Sequence, residues 1–144
     1  MRYVNQPVMK KDGMALVTGK PVYTQDLAPK DCLVVKVLRS PHASAKIKSI
    51  DKSRAEKVEG IVCILTHEDC PNRRFTQAGQ TFWEMSPYDR YILEDRVRFV
   101  GDAVAVIAGE NEKAVKKAMK LVKVEYEVLT PLLDFRTSKG NEIL

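Results

Sequence analysis

Residues 96–131 read RVRFVGDAVAVIAGENEKAVKKAMKLVKVEYEVLTP, a stretch in which the spacing of apolar residues changes twice. Ala103 to Ala108 is an unbroken apolar run of strand length. A second strand-like stretch, Arg96 to Val100, precedes it, and Gly101-Asp102 marks a turn or bulge between them. Val115, Ala118, Met119 and Val122 then recur at helical spacing, while Lys113, Lys116, Lys117 and Lys120 take the outer face. Glu110 or Asn111 is placed to cap this helix, which should run to about Val122. From Lys123 to Leu129 the pattern alternates, with Val124, Tyr126 and Val128 inward and Lys123, Glu125 and Glu127 outward, until Thr130-Pro131 ends it.

Working back toward the N-terminus, Leu33 to Leu38 reads as a strand with Leu33, Val35 and Val37 on one face and Val34, Lys36 and Leu38 on the other. Ser40-Pro41 breaks it, and Ala43 to Ile50 alternates as a half-exposed strand. Asp51 is an N-cap candidate for a short helix over Lys52 to Val58, stopped by Gly60. The five apolar residues Ile61 to Leu65 predict a strand in the sheet interior. Thr66 can cap a turn through Cys70, which Pro71 ends. Lys11 to Gly19 reads as a short helical turn, and Lys20 to Asp31 as a polar surface loop. Strands predominate and helices do not alternate with them one for one, which favours α+β over a doubly wound sheet.

The chain has 144 residues, 44% hydrophobic and 30% charged, enough for one domain that buries about two-thirds of its unfolded surface. No apolar run approaches the length of a membrane span, and the opening MRYVNQPVMKK lacks the apolar core of a secretory signal. Three cysteines, Cys32, Cys63 and Cys70, form no paired framework and read as reduced thiols, which implies a cytoplasmic location. With only His42 and His67 and no C-x-x-C, a zinc site or iron–sulfur cluster inside the chain is not expected. The net charge of +5 is uneven: residues 1–58 hold 12 basic and 5 acidic side chains, residues 59–144 hold 12 and 14. A basic half is compatible with a free-standing module for an acidic partner or nucleic acid. Scattered lysines also serve simply to keep a domain soluble. The lysine face of the helix has no aromatic residue to stack bases, so nucleic acid is not the expected partner.

Reactive constellations are hard to find. No serine sits in a nucleophile elbow, and His42, just after the strand break, is a weak candidate base. Glu68-Asp69 and Glu94-Asp95 are adjacent in sequence, so the members of each pair diverge in direction and read as surface charge. One glycine turn at Gly101 does not make a phosphate loop. The one stretch suited to a ligand is the long aperiodic segment 71–95, which holds five of the ten aromatic residues. Its Arg73, Arg74, Gln77 and Gln80 among rings suit a flat polar molecule; alternatively, Trp83 and the tyrosines cover a core edge.

Several segments fall in a known order. DGMALVTGKPVYTQDL (12–27), LRSPHASAKIKSID (38–51), VRFVGDAVAVIAG (97–109), the following helix and VKVEYEVLTPLLD (122–134) together resemble the N-terminal hammerhead domain of the molybdenum-binding subunit of the xanthine dehydrogenase/aldehyde oxidase family. The chain departs from the pattern at Leu16, usually lysine, at Pro21, usually alanine, and at Ala103, commonly proline. The resemblance implies an α+β hammerhead fold: a mixed sheet with two to three helices in one domain over 1–144, with an ordered core at about 5–135 and an exit segment at 134–144. It further implies that the complete protein hydroxylates purines, related N-heterocycles or aldehydes with oxygen from water. Molybdopterin would be bound by large domains that follow this one, with iron–sulfur and FAD domains or subunits as electron carriers. No catalytic, cofactor or metal residue carries over to this chain. Phe82, Trp83 and Arg74 are implied to line the substrate entrance.

Overall fold

The structure is a computed structural model that describes residues 4–76 and 87–140. In chain order the elements are α1 (Gly13–Val17), β1 (Val34–Arg39), β2 (Ala45–Asp51), α2 (Ser53–Glu56), β3 (Ile61–Leu65), β4 (Arg96–Val97), β5 (Ala103–Gly109), α3 (Glu112–Met119) and β6 (Lys123–Val128). Two compact units are present, Met1–Cys32 and Leu33–Leu144. The first contains α1, after which Gly19 turns the chain at a φ of +69°, and a 3-10 turn at Thr24–Leu27 inside the expected loop. That turn is held by the Asp26 carboxylate, which accepts from the Tyr23 N–H at 2.8 Å.

In the second unit the strands form two three-stranded sheets, ordered β1-β5-β3 and β4-β2-β6, and every pairing is antiparallel. Strand β5 takes the middle of the first sheet because its run of small and branched residues can be covered on both sides. Ala105 and Ile107 are fully buried toward α2 and α3, in a cluster with Ala55, Val58, Ile64, Ala114, Val115 and Ala118. Val104 is also fully buried, but packs with Ala45, Ile47 and Val97 of the second sheet. One strand thus contributes to both cores, which joins the two sheets.

The central run is legible because three periods follow one another without a gap. Asn111 is the N-cap of α3: its side-chain oxygen accepts from the Ala114 N–H at 2.9 Å. The helix ends at Met119, three residues short of Val122, because the Leu121 and Val122 N–H groups both turn back onto the Ala118 carbonyl, at 2.8 and 3.1 Å. The expected strand Arg96 to Val100 is cut to Arg96–Val97. There the Asp102 carboxylate accepts from the Arg98 N–H at 2.9 Å, and Gly101, at a φ of +95°, donates to the Ser40 carbonyl at 2.8 Å. A short acidic side chain has captured backbone that would otherwise pair.

Two further expectations change. The expected Lys52 to Val58 helix shrinks to Ser53–Glu56, with Lys52 in the N-cap position, while Asp51 stays in β2 and accepts from the Ser53 N–H and hydroxyl at 3.0 and 2.6 Å. Strand β3 is an edge strand, not the sheet interior. Its Ile61 and Ile64 pack inward, but Val62 is 56% exposed and Cys63 and Leu65 are also exposed. An all-apolar pentapeptide cannot by itself distinguish burial on two faces from burial on one.

Candidate functional site

The described ends of the segment expected to suit a ligand are tied together. Phe75 and Arg90 exchange two backbone hydrogen bonds, 2.8 and 3.2 Å, as an isolated antiparallel bridge. Beside it the Arg74 Nε donates to the Tyr91 hydroxyl at 3.0 Å, and the guanidinium carbon lies 5.3 Å from the Tyr91 ring centroid. Arg74 is therefore steered by a hydrogen bond and a cation–π contact to the same side chain. Phe82 and Trp83, together with Gln77 and Gln80, lie outside the described residues.

A groove of about 410 Å³ runs along this base, lined in part by His67, Asn72, Tyr91, Glu94 and Asp95. One wall is the 3-10 turn His67–Asp69, fixed by the Asp69 carboxylate. Its Oδ2 accepts from the Thr66 N–H at 2.8 Å, the Thr66 hydroxyl at 2.9 Å and the Lys52 ammonium at 3.0 Å. Lys52 also donates to the Ile64 carbonyl at 3.1 Å, which ties β3 to the turn. Asp69, read in the sequence as surface charge, is thus the hub of a structural network. The signal available was Thr66-x-x-Asp69, the spacing of a capping box.

The Lys52 hydrogen bond, followed by those from Thr66, holds the Asp69 carboxyl at about 2, below its usual 3.8. A depressed folded-state pKa stabilises the fold above the unfolded value, and this contribution disappears as pH falls from about 4 to about 2. The side chain is 34% exposed. With that screening allowed for, the contribution is about 1 kcal/mol. Urea unfolding of wild type and Asp69→Asn should therefore differ at pH 7 and converge near pH 2; a gap that persists at low pH would contradict this.

Glu94, also read as surface charge, instead forms a bidentate pair with Arg98, both side chains about one-fifth exposed. The carboxylate raises the Arg98 pKa further. His42 is a packing residue. Its ring meets Tyr126 edge-on at 4.8 Å and 70°, and its backbone N–H donates to the Ser40 hydroxyl at 3.0 Å. The nearby serine thus bonds the backbone of His42 and not its imidazole, so the pair lacks the arrangement of nucleophile and base. Burial pushes the Tyr126 phenol up, partly offset by a hydrogen bond with Ser40.

Among the described residues no three His, Cys, Asp or Glu side chains converge to hold a metal ion. The Gly101 turn has nothing within 4 Å of where a side chain would stand, so it forms no cradle for a phosphate-bearing cofactor. The described residues do not fit a molybdenum–pterin group. What they present is an aromatic-backed guanidinium at the base of a loop, beside a groove with carboxylates.

The profile of the family described as aldehyde oxidase and xanthine dehydrogenase, a/b hammerhead domain, matches residues 18–130. A probable hypoxanthine oxidase, XdhD, of Escherichia coli K12 is 44% identical over 124 residues, which is 86% of this chain and 13% of that protein. The xanthine dehydrogenase molybdenum-binding subunit of Escherichia coli O157:H7 is 36% identical over 126 residues, 84% of this chain and 17% of that one. Quinoline 2-oxidoreductase from Pseudomonas putida 86 superposes with a TM-score of 0.78 at 28% identity, over 94% of this chain and 18% of its own. The chain spans less than a fifth of each of these relatives. A profile match across most of the sequence and a common fold lead to one conclusion: the chain belongs to the aldehyde oxidase and xanthine dehydrogenase family, as its a/b hammerhead domain.

Proposed function

We propose that this chain is the wall, docking and substrate-entrance domain of a molybdenum hydroxylase. The reaction of the whole protein would replace a C–H bond of an N-heterocycle or aldehyde by C–OH, taking oxygen from water and releasing two protons and two electrons. The observation that carries this reading is 44% identity to a probable hypoxanthine oxidase across 86% of the chain, set against 13% of that relative's length. The domain supplies surface, and the reactive group is supplied by something larger. On this reading molybdopterin sits in large domains of the same enzyme, iron–sulfur and FAD domains or subunits remove the electrons, and the assembly works in the cytoplasm. Residues 1–144 act as one structural part, with its core at about 5–135. Higher identity to the probable hypoxanthine oxidase, 44%, than to aldehyde oxidases, 30% and 34%, favours N-heterocycles over aldehydes.

Arg74 at the tied base would face the entrance with Phe82 and Trp83 of the same loop. In the complete enzyme Trp83→Ala should raise KM about tenfold with kcat little changed, because uniform binding is lost and not chemistry. Steady-state kinetics with hypoxanthine and an aldehyde test this. Unchanged KM and selectivity would remove Trp83 from the entrance, and failure of the complete assembly to oxidise either substrate would overturn the function.

A further inference from the structure

At the second sheet a larger groove, about 740 Å³, opens between Ala43–Ser44, the 96–100 stretch and the chain leaving β6 at 129–133. Phe99, Val100, Leu129, Pro131, Leu132 and Leu133 give it apolar walls. These walls are open: Val100 is 66% exposed and Leu133 83%. Its polar content is dominated by two arginines in different electrostatic states. Arg98 is neutralised by its bidentate pair with Glu94. Arg96 has no such partner. Its Nε is buried without an acceptor, and no carboxylate among the described residues pairs with its guanidinium. Its cross-strand neighbour is Lys46, a like charge, and the acid in that row, Glu127, lies opposite Lys46 on the far strand.

Such an arrangement is unfavourable as it stands. A buried donor without an acceptor keeps its full desolvation penalty, and like charges directly opposite on a sheet repel. An occupant that brings a carboxylate to the guanidinium of Arg96 offsets the like charge of Lys46, and its apolar side chains cover the walls. A polyanion fits poorly, because the walls are apolar and Arg98 is already neutralised. We infer that this groove docks a segment of the larger hydroxylase polypeptide in which an aspartate or glutamate, flanked by apolar residues, pairs with Arg96. The inference rests on the function proposed above. Relatives that carry more than four-fifths of their length outside the matched span have ample chain to supply the segment.

The test compares Arg96→Met in two settings. In the 144-residue chain alone, removal of an unpaired cation beside Lys46 should leave Tm unchanged or raise it. In the complete hydroxylase the same change should lower Tm by several degrees, because the partner carboxylate is then left unpaired. A second variant, Arg96→Lys, treated with a carbodiimide in the complete enzyme, should form a cross-link from position 96 to an acidic residue outside this span. Equal loss of stability in both settings, or no such cross-link, would overturn the inference. So would concentration-dependent dimerisation of the chain that Arg96→Met abolishes, since the occupant would then be a second copy. If the Arg96→Lys assembly cross-links at position 96 while the wild-type assembly hydroxylates nothing, the functional reading falls and the docking contact stands.

Discussion

Gly109→Ala is expected to destabilise the domain by about 3 kcal/mol, as overpacking against backbone does. A Cβ at position 109 would stand 2.6 Å from the Gly60 carbonyl oxygen, 2.9 Å from Val115 Cγ2 and 3.1 Å from Ile61 Cδ1. The nearest of these is backbone, so no side-chain rotation relieves the clash. It is also in use, since the Gly60 oxygen accepts from the Glu110 N–H at 2.8 Å at the start of the turn into α3. The end of β5, the turn before β3 and the entry to α3 meet at this point, and a shift in any one moves the other two. Gly101→Ala is the control. It meets nothing within 4 Å and carries only the strain of a φ of +95°, about 1 kcal/mol. Urea denaturation of the two variants should separate them by about 2 kcal/mol; equal effects would mean the approach at Gly109 relaxes freely.

Ile107→Ala should cost about 3–4 kcal/mol. Ile107 is fully buried and heads the largest buried side chains. On the same face its cross-strand neighbours are Lys36 of β1 and Ile64 of β3, and it shares a core cluster with Val115 and Ala118 of α3. Three strands and a helix converge there, so collapse of the cavity requires correlated movement. Val106→Ala, one residue away on the partly open face of the same strand, should cost about 1 kcal/mol. A calorimetric comparison that found the two equal would mean that the face of β5 toward α3 is not the main core.

The contrast between those two positions also explains what the sequence could convey. β5 and α3 follow directly from their spacing, because each buries one face against a neighbour within the same chain; in β6 Val124 and Tyr126 turn inward as expected, but Val128 at the strand end is 61% exposed. Edge and interior were not separable for β3. Val62, Cys63 and Leu65 are apolar yet exposed, so their apolar character does not mark burial among the described residues. Similarly, the alternation in β1 gives its two faces correctly, but Val35, on the face with Leu33, is 56% exposed, while Val34 and Leu38 pack on the core. Short-range captures were hidden for a different reason. The grip of Asp102 on the Arg98 N–H and of Asp69 on Lys52 depends on three-dimensional closure, to which hydrophobic period is blind. At the loop base the sequence named Arg74 and its aromatic surroundings, but not that Tyr91 is the ring that holds it. Arg96 was invisible altogether. One arginine beside another looks equivalent until Glu94 is seen to neutralise Arg98 alone.

Exposed apolar side chains on β3 and in the groove, and an Arg96 Nε buried without an acceptor, are the observations on which the proposed docking rests. The most direct measurement is molybdenum per mole of chain, by elemental analysis, for this chain purified alone and within the complete hydroxylase. Molybdenum is expected in the complete enzyme, with none retained by the 144-residue chain. Stoichiometric molybdenum held by the chain alone, or a complete assembly that lacks the metal, would contradict it.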